Sequence, residues 1–295
     1  MHRVAEDVGT IAGLWRYPVK SMQGEACPRV AAGERGLAGD RVWAVVDAET
    51  GKVVSAKRPK LWATMLECAA SYTDEPAPDG PAAPVRITLP DGREVHTDDP
   101  DRDRLLSEAL GRSVTMQSRA PEGAKYDLRA LDAEGLETDE PERLTESPVG
   151  MFAPPGTHFD TSTLHLLATT TLDAFAAAHP EGEWDVRRFR PTVLVEVEGD
   201  GALSDEFAEN GWAGHLVELG DAARAAVLVP MPRCVMTTLP QPGLPRDPLI
   251  LRTLAERNRQ QLADAGVFAC AGAMANVTAP GALAVGDRVA VGDPL

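Results

Sequence analysis

Cysteine is scarce in this sequence. Cys27, Cys68, Cys234 and Cys270 are spread over 295 positions, and no two form a Cys-x-x-Cys pair. Four are too few for a disulfide framework in a chain this long, and their spacing matches no zinc site, so a reducing cytoplasm is the expected compartment. Aromatic residues make up 5% of the chain, and no run approaches the roughly 20 apolar residues a membrane-crossing helix needs. Met1 to Gly13 carries His2, Arg3, Glu6 and Asp7 where a secretory leader would be apolar. Positive charge is also short: 29 Lys and Arg stand against 45 Asp and Glu, a net charge of −16. Such a surface repels nucleic acids and anionic membranes, and neither is expected as a partner. No GxxxxGK, GxGxxG, HExxH or Gly-x-Ser-x-Gly motif occurs, which removes the phosphate-loop, zinc-protease and serine-hydrolase readings.

What remains is a chain with 43% hydrophobic residues, ample for one large core or two medium ones. The pattern reads as short strands. Gly9 to Pro18 is strand-like and stops at proline; Arg41 to Val46 is a second run, turned by Asp47-Ala48-Glu49-Thr50-Gly51 into Lys52-Val53-Val54. Thr73 to Pro84 is a proline-rich loop, Val85 to Leu89 pairs back on Glu94 to His96 through Pro90-Asp91-Gly92, and Arg104 to Leu110 has helical spacing. Gly123 to Gly156 is polar and reads as a long connection. Beyond it lie strands at Leu164 to Leu167, Thr192 to Val197 and Ala225 to Val229, the last closed by Pro230 and Pro232. Pro248 to Ala263 is the strongest helix, with Asp247 as its N-cap and Leu251, Leu254, Ala255 and Leu262 as its stripe. Pro280 to Val291 reads as a closing hairpin. Strands outnumber helices, which favours a barrel-rich fold.

One stretch stands out chemically. In Met231-Pro232-Arg233-Cys234-Val235-Met236-Thr237-Thr238, a cysteine follows a proline-stiffened strand exit and has an arginine beside it. Neighbouring positive charge favours the thiolate, the form that attacks electrophiles or binds soft metals. A small buried hydrophobe is the other reading of the same residue, and local sequence leaves both open.

Arg233-Cys234 with Thr237-Thr238, followed by Asp247-Pro248-Leu249 and a helix, resembles the C-terminal domain first named for molybdenum-cofactor sulfurases (MOSC). Arg188-Phe189-Arg190-Pro191-Thr192 resembles that domain's Phe-Arg-Pro-Asn strand, and Pro280-Gly281 to Val285-Gly286-Asp287-Arg288-Val289 resembles its ending. Tyr17-Pro18-Val19-Lys20-Ser21-Met22 and Gly36 to Trp43 look like the β-barrel domain that precedes MOSC in the amidoxime-reducing family. The resemblance runs from about residue 9 to 291, in the family's order. It implies a β-rich α+β protein: an N-terminal MOSC-type β-barrel segment at 7–125, a linker at 126–160, and a C-terminal MOSC β-barrel domain with a few helices at 161–295.

The resemblance also implies a molybdenum cofactor, with molybdopterin and one protein thiolate on the metal. Cys234 falls at the thiolate position, as metal ligand and catalytic residue, with Arg233 beside it. Lys20, Ser21 and Arg41 match positions that contact the pterin and its phosphate. Arg190 and Thr192 match the arginine and asparagine of the Phe-Arg-Pro-Asn strand, threonine keeping a hydroxyl but losing an amide. Thr169 and Thr171 fall near a hydroxyl-bearing stretch that faces the cofactor in relatives. The chain has five lysines, four of them between residues 20 and 60, and positive charge gathered at one pocket of an acidic protein would trap an anionic cofactor. Lys57, Arg58 and Lys60 read as surface or entrance rim, and His165 as a core histidine. The activity implied is reduction of small N-oxygenated compounds (amidoximes, hydroxylamines, N-oxides), with electrons from a separate protein, a ferredoxin or flavin reductase. A sulfur carrier using a Cys234 persulfide and a non-catalytic cofactor carrier are the rival readings.

Overall fold

The computed structural model describes residues 5–130, 143–199, 201 and 203–295. At its centre is a closed barrel of seven strands: β1 (Glu6–Arg16), β2 (Leu164–Ala168), β3 (Val193–Val197), β4 (His215–Leu219), β5 (Ala223–Pro232), β6 (Val267–Ala279) and β7 (Arg288–Pro294). The staves run β2-β3-β1-β7-β4-β5-β6, and β6 pairs with β2 to close the ring. All pairings around the ring are antiparallel except β2 with β3.

Period-two alternation explains the closure. Leu164 and Leu166, Val193 and Val195, Val217 and Leu219, Ala225 and Val227, Ala273 and Ala275, Val289 and Val291 all point inward and are buried in one core. The alanines on β5 and β6 leave space that Trp212, wholly buried, helps to fill. β1 supplies Val8, Ile11 and Leu14 to the same core. The N-terminal strand is therefore a stave of a barrel otherwise built from residues 164–294, and the expected division at 125 and 160 is crossed by strand pairing. It is crossed again where Arg29–Gly33 pairs with Gly281–Ala284. That second pairing also replaces the expected closing hairpin, since Gly281–Ala284 turns away from β7.

Residues 44–117 build a second core around Val45, Trp62, Met65, Ile87, Leu106 and Met116. Ala69–Tyr72, Val85–Thr88 and Glu94–His96 form one sheet, Ala44–Asp47 pairs with Val114–Gln117, and the helix α1 (Arg102–Leu110) packs Leu106 inward. The polar connection is not structureless: Lys125–Arg129 pairs with Leu144–Pro148, while residues 131–142 of the expected linker lie outside the described residues.

Two other expectations shift. β5 runs through Pro230 and Pro232, which face Ala273 and Cys270 of β6. This is tolerated because pairing with β4 ends at Ala226, leaving that edge without a partner needing an N–H. The helices α2 (Thr169–Ala178) and α3 (Pro248–Arg257) flank the barrel. Asp247 caps α3, accepting from Leu249 N, but the helix stops six residues before Ala263. Asn258 is captured by β6, donating to Cys270 O at 3.1 Å and accepting from Cys270 N at 2.9 Å, and Arg259–Gln261 then pairs with β6. Among the described residues no helix is long and apolar enough to cross a membrane.

Candidate functional site

Cys234 sits where β5 leaves the barrel and a short turn, Val235–Thr238, begins. Its carbonyl accepts from Thr237 N at 3.2 Å and Thr237 Oγ1 at 3.0 Å, which fixes the turn from its first residue. The turn packs Val235, Met236 and Leu239 against Ala56 and Leu66 from the N-terminal half. The thiol is half-buried, unlike the other three, which are buried. It opens on a pocket of about 150 Å³ between the two halves, with Arg41, Lys57, Asp160, Arg190 and Arg233 on its walls.

Two of these guanidiniums are held by one ring. Arg190 lies 4.1 Å from the Tyr17 ring centroid and Arg41 4.5 Å from it, so both cations rest against one tyrosine ring. Arg41 is paired with Asp40, whose other oxygen accepts from Tyr17 N at 2.7 Å; Arg190 donates to Met22 O at 2.6 Å. Burial pushes the Tyr17 phenol up to about 12 and draws Arg190 down to about 10. Arg233 donates to Phe189 O at 2.8 Å, and burial likewise lowers it. Ser21, Arg41 and Arg190 have φ of 67°, 49° and 55°, three of the five left-handed non-glycine residues among those described. Strain of this kind gathers at sites where geometry is over-determined by function.

Lys20 is buried behind the wall. It pairs with Asp160 and donates to His158 O at 3.0 Å; Lys57 reaches the other oxygen of Asp160 at 3.0 Å. Both ammoniums lie 4.9 Å from the Tyr126 ring centroid. Burial pulls Lys20 down to about 8, against the pull of Asp160. Burial alone would raise the Asp160 carboxyl, but Lys20 and Lys57 outweigh it and hold it well below the usual range. Ser21 faces away from the pocket, its Oγ accepting from Ala56 N at 3.1 Å, and so anchors the loop that carries Lys57.

Cys234, Arg233, Arg190, Arg41 and Lys20 thus gather at or just behind one wall. Four expected residues do not: Ser21, turned to Ala56, and three threonines. Thr169 accepts from Val197 N at 3.4 Å, Thr171 donates to the buried Glu209 at 2.7 Å, and Thr192 exchanges hydrogen bonds with the backbone of His165 at 2.9 and 3.1 Å. Their hydroxyls serve the barrel wall and α2, and none lines the pocket. The sequence assigns no site role to Asp160, His158 or Arg188. Lys57 reads as rim and Asp160 as the last residue of the linker, and only their mutual ion pair, 103 positions apart in the chain, marks them.

The donor set suits an anionic ligand carrying a soft metal. Among the described residues no three His, Cys, Asp or Glu side chains gather as a metal cluster, so a metal here would have Cys234 as its protein ligand and the rest from its own carrier. Four cations, Arg41, Lys57, Arg190 and Arg233, face one carboxylate, Asp160, on the pocket walls, and the buried Arg233 Nε has no partner. An unpartnered buried donor costs free energy unless a ligand satisfies it.

A model of the MOSC N-terminal beta barrel domain matches residues 8–126, and one of the MOSC domain matches residues 154–290. Mitochondrial amidoxime-reducing component 1 of Homo sapiens is 25% identical over 253 residues, covering 80% of this chain and 68% of that one. Mitochondrial amidoxime reducing component 2 of Rattus norvegicus is 24% identical over 253 residues, covering 82% and 70%. The solved YuaD protein of Bacillus subtilis aligns over 100% of both chains at 11% identity with a TM-score of 0.46, too loose a likeness to carry an argument.

Proposed function

The chain belongs to the MOSC family, with the N-terminal β-barrel domain and the MOSC domain in one chain, and on that premise we propose that it holds a molybdenum cofactor at Cys234 and reduces small N-oxygenated compounds. The observation that carries this reading is the half-buried Cys234 thiol in a pocket walled by Arg41, Lys57, Arg190 and Arg233. The distant relatives named as amidoxime-reducing components support it.

When bound, the cofactor supplies the two-electron redox chemistry. The chain's own residues bind and orient it. Cys234 offers a thiolate as metal ligand. Arg41 and Arg190, fixed on Tyr17, hold positive charge toward an anionic pterin phosphate, and Arg233 adds an unpartnered N–H. Asp160, ionised between Lys20 and Lys57, keeps both ammoniums charged-neighbour stabilised and close to the pocket. The overall reaction, R₂N–OH with two electrons and two protons giving R₂NH and water, needs an electron source. A separate ferredoxin or flavin reductase in the cytoplasm fills that role in this reading.

The test is reduction of benzamidoxime with a chemical reductant, using protein made in a molybdopterin-competent host. Turnover that falls to background in Cys234→Ser supports the reductase. Bound cofactor without turnover supports a carrier instead, and a persulfide adduct on Cys234 without metal supports sulfur transfer. Full turnover in Cys234→Ser dismisses the role of this thiol.

A further inference from the structure

One guanidinium beside the pocket is spent on the protein itself. Arg188 is wholly buried, and burying a charge without compensation is expensive. Among the described residues no carboxylate bonds to it; its donors go to backbone carbonyls. Nε reaches Glu183 O at 2.8 Å, Nη1 reaches Thr237 O at 3.1 Å and Leu239 O at 3.4 Å, and Nη2 reaches Pro245 O at 2.8 Å. Burial draws its pKa down, and hydrogen bonds to charged donors are the stronger kind, so these four contacts outweigh ordinary backbone ones.

The carbonyls come from three separate places. Glu183 precedes the turn that carries Arg188. Thr237 and Leu239 belong to the turn that starts on Cys234, and Pro245 leads into α3. Thr237 is also the residue whose N–H and hydroxyl both bond Cys234 O. A rigid path of two steps therefore runs from the Arg188 guanidinium to the Cys234 backbone. Val235, Met236 and Leu239 also pack the turn against Ala56 and Leu66, but packing is non-directional and does not fix where the thiol points.

We propose that Arg188 is a positioning residue for Cys234, clamping the turn whose first residue presents the thiol to the pocket. The inference rests on the function above only for what the thiol is for; the clamp itself exists in protein without cofactor. It also gives the pair Arg188 and Arg190 opposite duties two residues apart, one bracing the thiol loop and the other facing the ligand.

The experiment uses cofactor-free full-length chain. The rate at which iodoacetamide alkylates Cys234 is followed by mass spectrometry of its peptide, well below the thermal transition. Arg188→Met keeps an apolar stem and removes every donor. Loss of the clamp lets the turn open locally, and the Cys234 rate should rise about tenfold or more. In Arg188→Ala, which also vacates the space of the stem, added ethylguanidinium should return the rate toward the wild-type value. Leu106→Ala, a cavity in the other core, serves as a control that lowers stability globally and should leave the Cys234 rate unchanged. If Arg188→Met does not fold, Arg188→Lys carries the test: one ammonium cannot span carbonyls from three places, and a rate between wild type and fully open is expected. A wild-type rate in the folded Arg188 variant, or an equal rise in Leu106→Ala, overturns the proposal. A raised rate in a protein that never binds molybdenum upholds the clamp while removing the reductase reading, so the two can fail independently.

Discussion

Single residues at the site are held in conformations that sequence does not advertise. Nothing in the string marks Arg41 and Arg190 as left-handed, yet each such residue costs on the order of 1–3 kcal/mol and must be compensated by its surroundings; here those are the Tyr17 ring and Asp40. Motifs in register point to Cys234, Arg233, Arg190, Arg41 and Lys20, and the fold brings these five to or just behind one pocket wall. Thr169 and Thr171 do not line the pocket, because α2 turns both hydroxyls toward other partners and a stretch of hydroxyls looks alike whichever side of a helix start it faces. Asp160 carries no signal in the sequence, because its two lysine partners are 140 and 103 positions away. Gly272 has φ +84°, and a Cβ there would lie 2.1 Å from His165 Nε2 and 2.6 Å from Leu166 O. Gly272→Ala should therefore lose about 3 kcal/mol or more, read as a lower denaturant midpoint at unchanged slope; a shift within error would mean the barrel wall yields there.

Glu209 gives a pH prediction at the same scale. It is wholly buried, accepting from Thr171 Oγ1 and from Gly272 N at 2.7 Å each. Burial pushes its carboxyl up to about 7 from an ordinary 4.5. The unfolded chain gives up this proton near the ordinary value, so between about 4.5 and about 7 the folded state binds more protons and loses stability as pH rises. The deficit above that window is on the order of 3 kcal/mol at most. Glu209→Gln does not titrate, so its melting temperature relative to wild type should climb from roughly pH 5 to roughly pH 8. A constant difference across that range would show that the carboxyl does not titrate as described.

At the scale of elements, periodicity was a good guide to barrel staves and a poor one to their ends. Leu164–Ala168 and Val193–Val197 were visible as apolar runs. The continuation of β5 through two prolines was not, since it depends on which edge is paired. The apolar stripe overstates the length of α3 because it reaches Leu262, which is buried, although the chain has by then left the helix for the edge of β6. The start of α3 was read correctly from Asp247 and Pro248. Asp247→Ala should cost about 1 kcal/mol, measured by chemical denaturation. No loss would mean that α3 is held at its start by packing of Ile250 and Leu251 alone.

The whole molecule joins its halves more closely than a linear domain division suggests. β1 comes from the first 16 residues and closes a barrel made from the last 132, and the candidate pocket lies where the halves meet. That long-range pairing was beyond reach of a reading along the chain, which sees strands but not their neighbours. A chain lacking residues 1–17 should lose cooperative unfolding, because β3 and β7 would be left as open edges. A sharp transition at the wild-type temperature would show that the barrel closes without β1. Globally the protein carries a charge of −16, yet Arg41, Lys57, Arg190 and Arg233 face the single carboxylate of Asp160 at the pocket, so the site is a local well for anions within a repelling shell.

The measurement closest to the central claim is the molybdenum and pterin content of the full chain purified from a molybdopterin-competent host, beside Cys234→Ser prepared in the same way. The account predicts about one molybdenum per wild-type chain and a marked loss in the variant. Equal metal in both, or none in the wild type from a host that loads other molybdenum proteins, would contradict it.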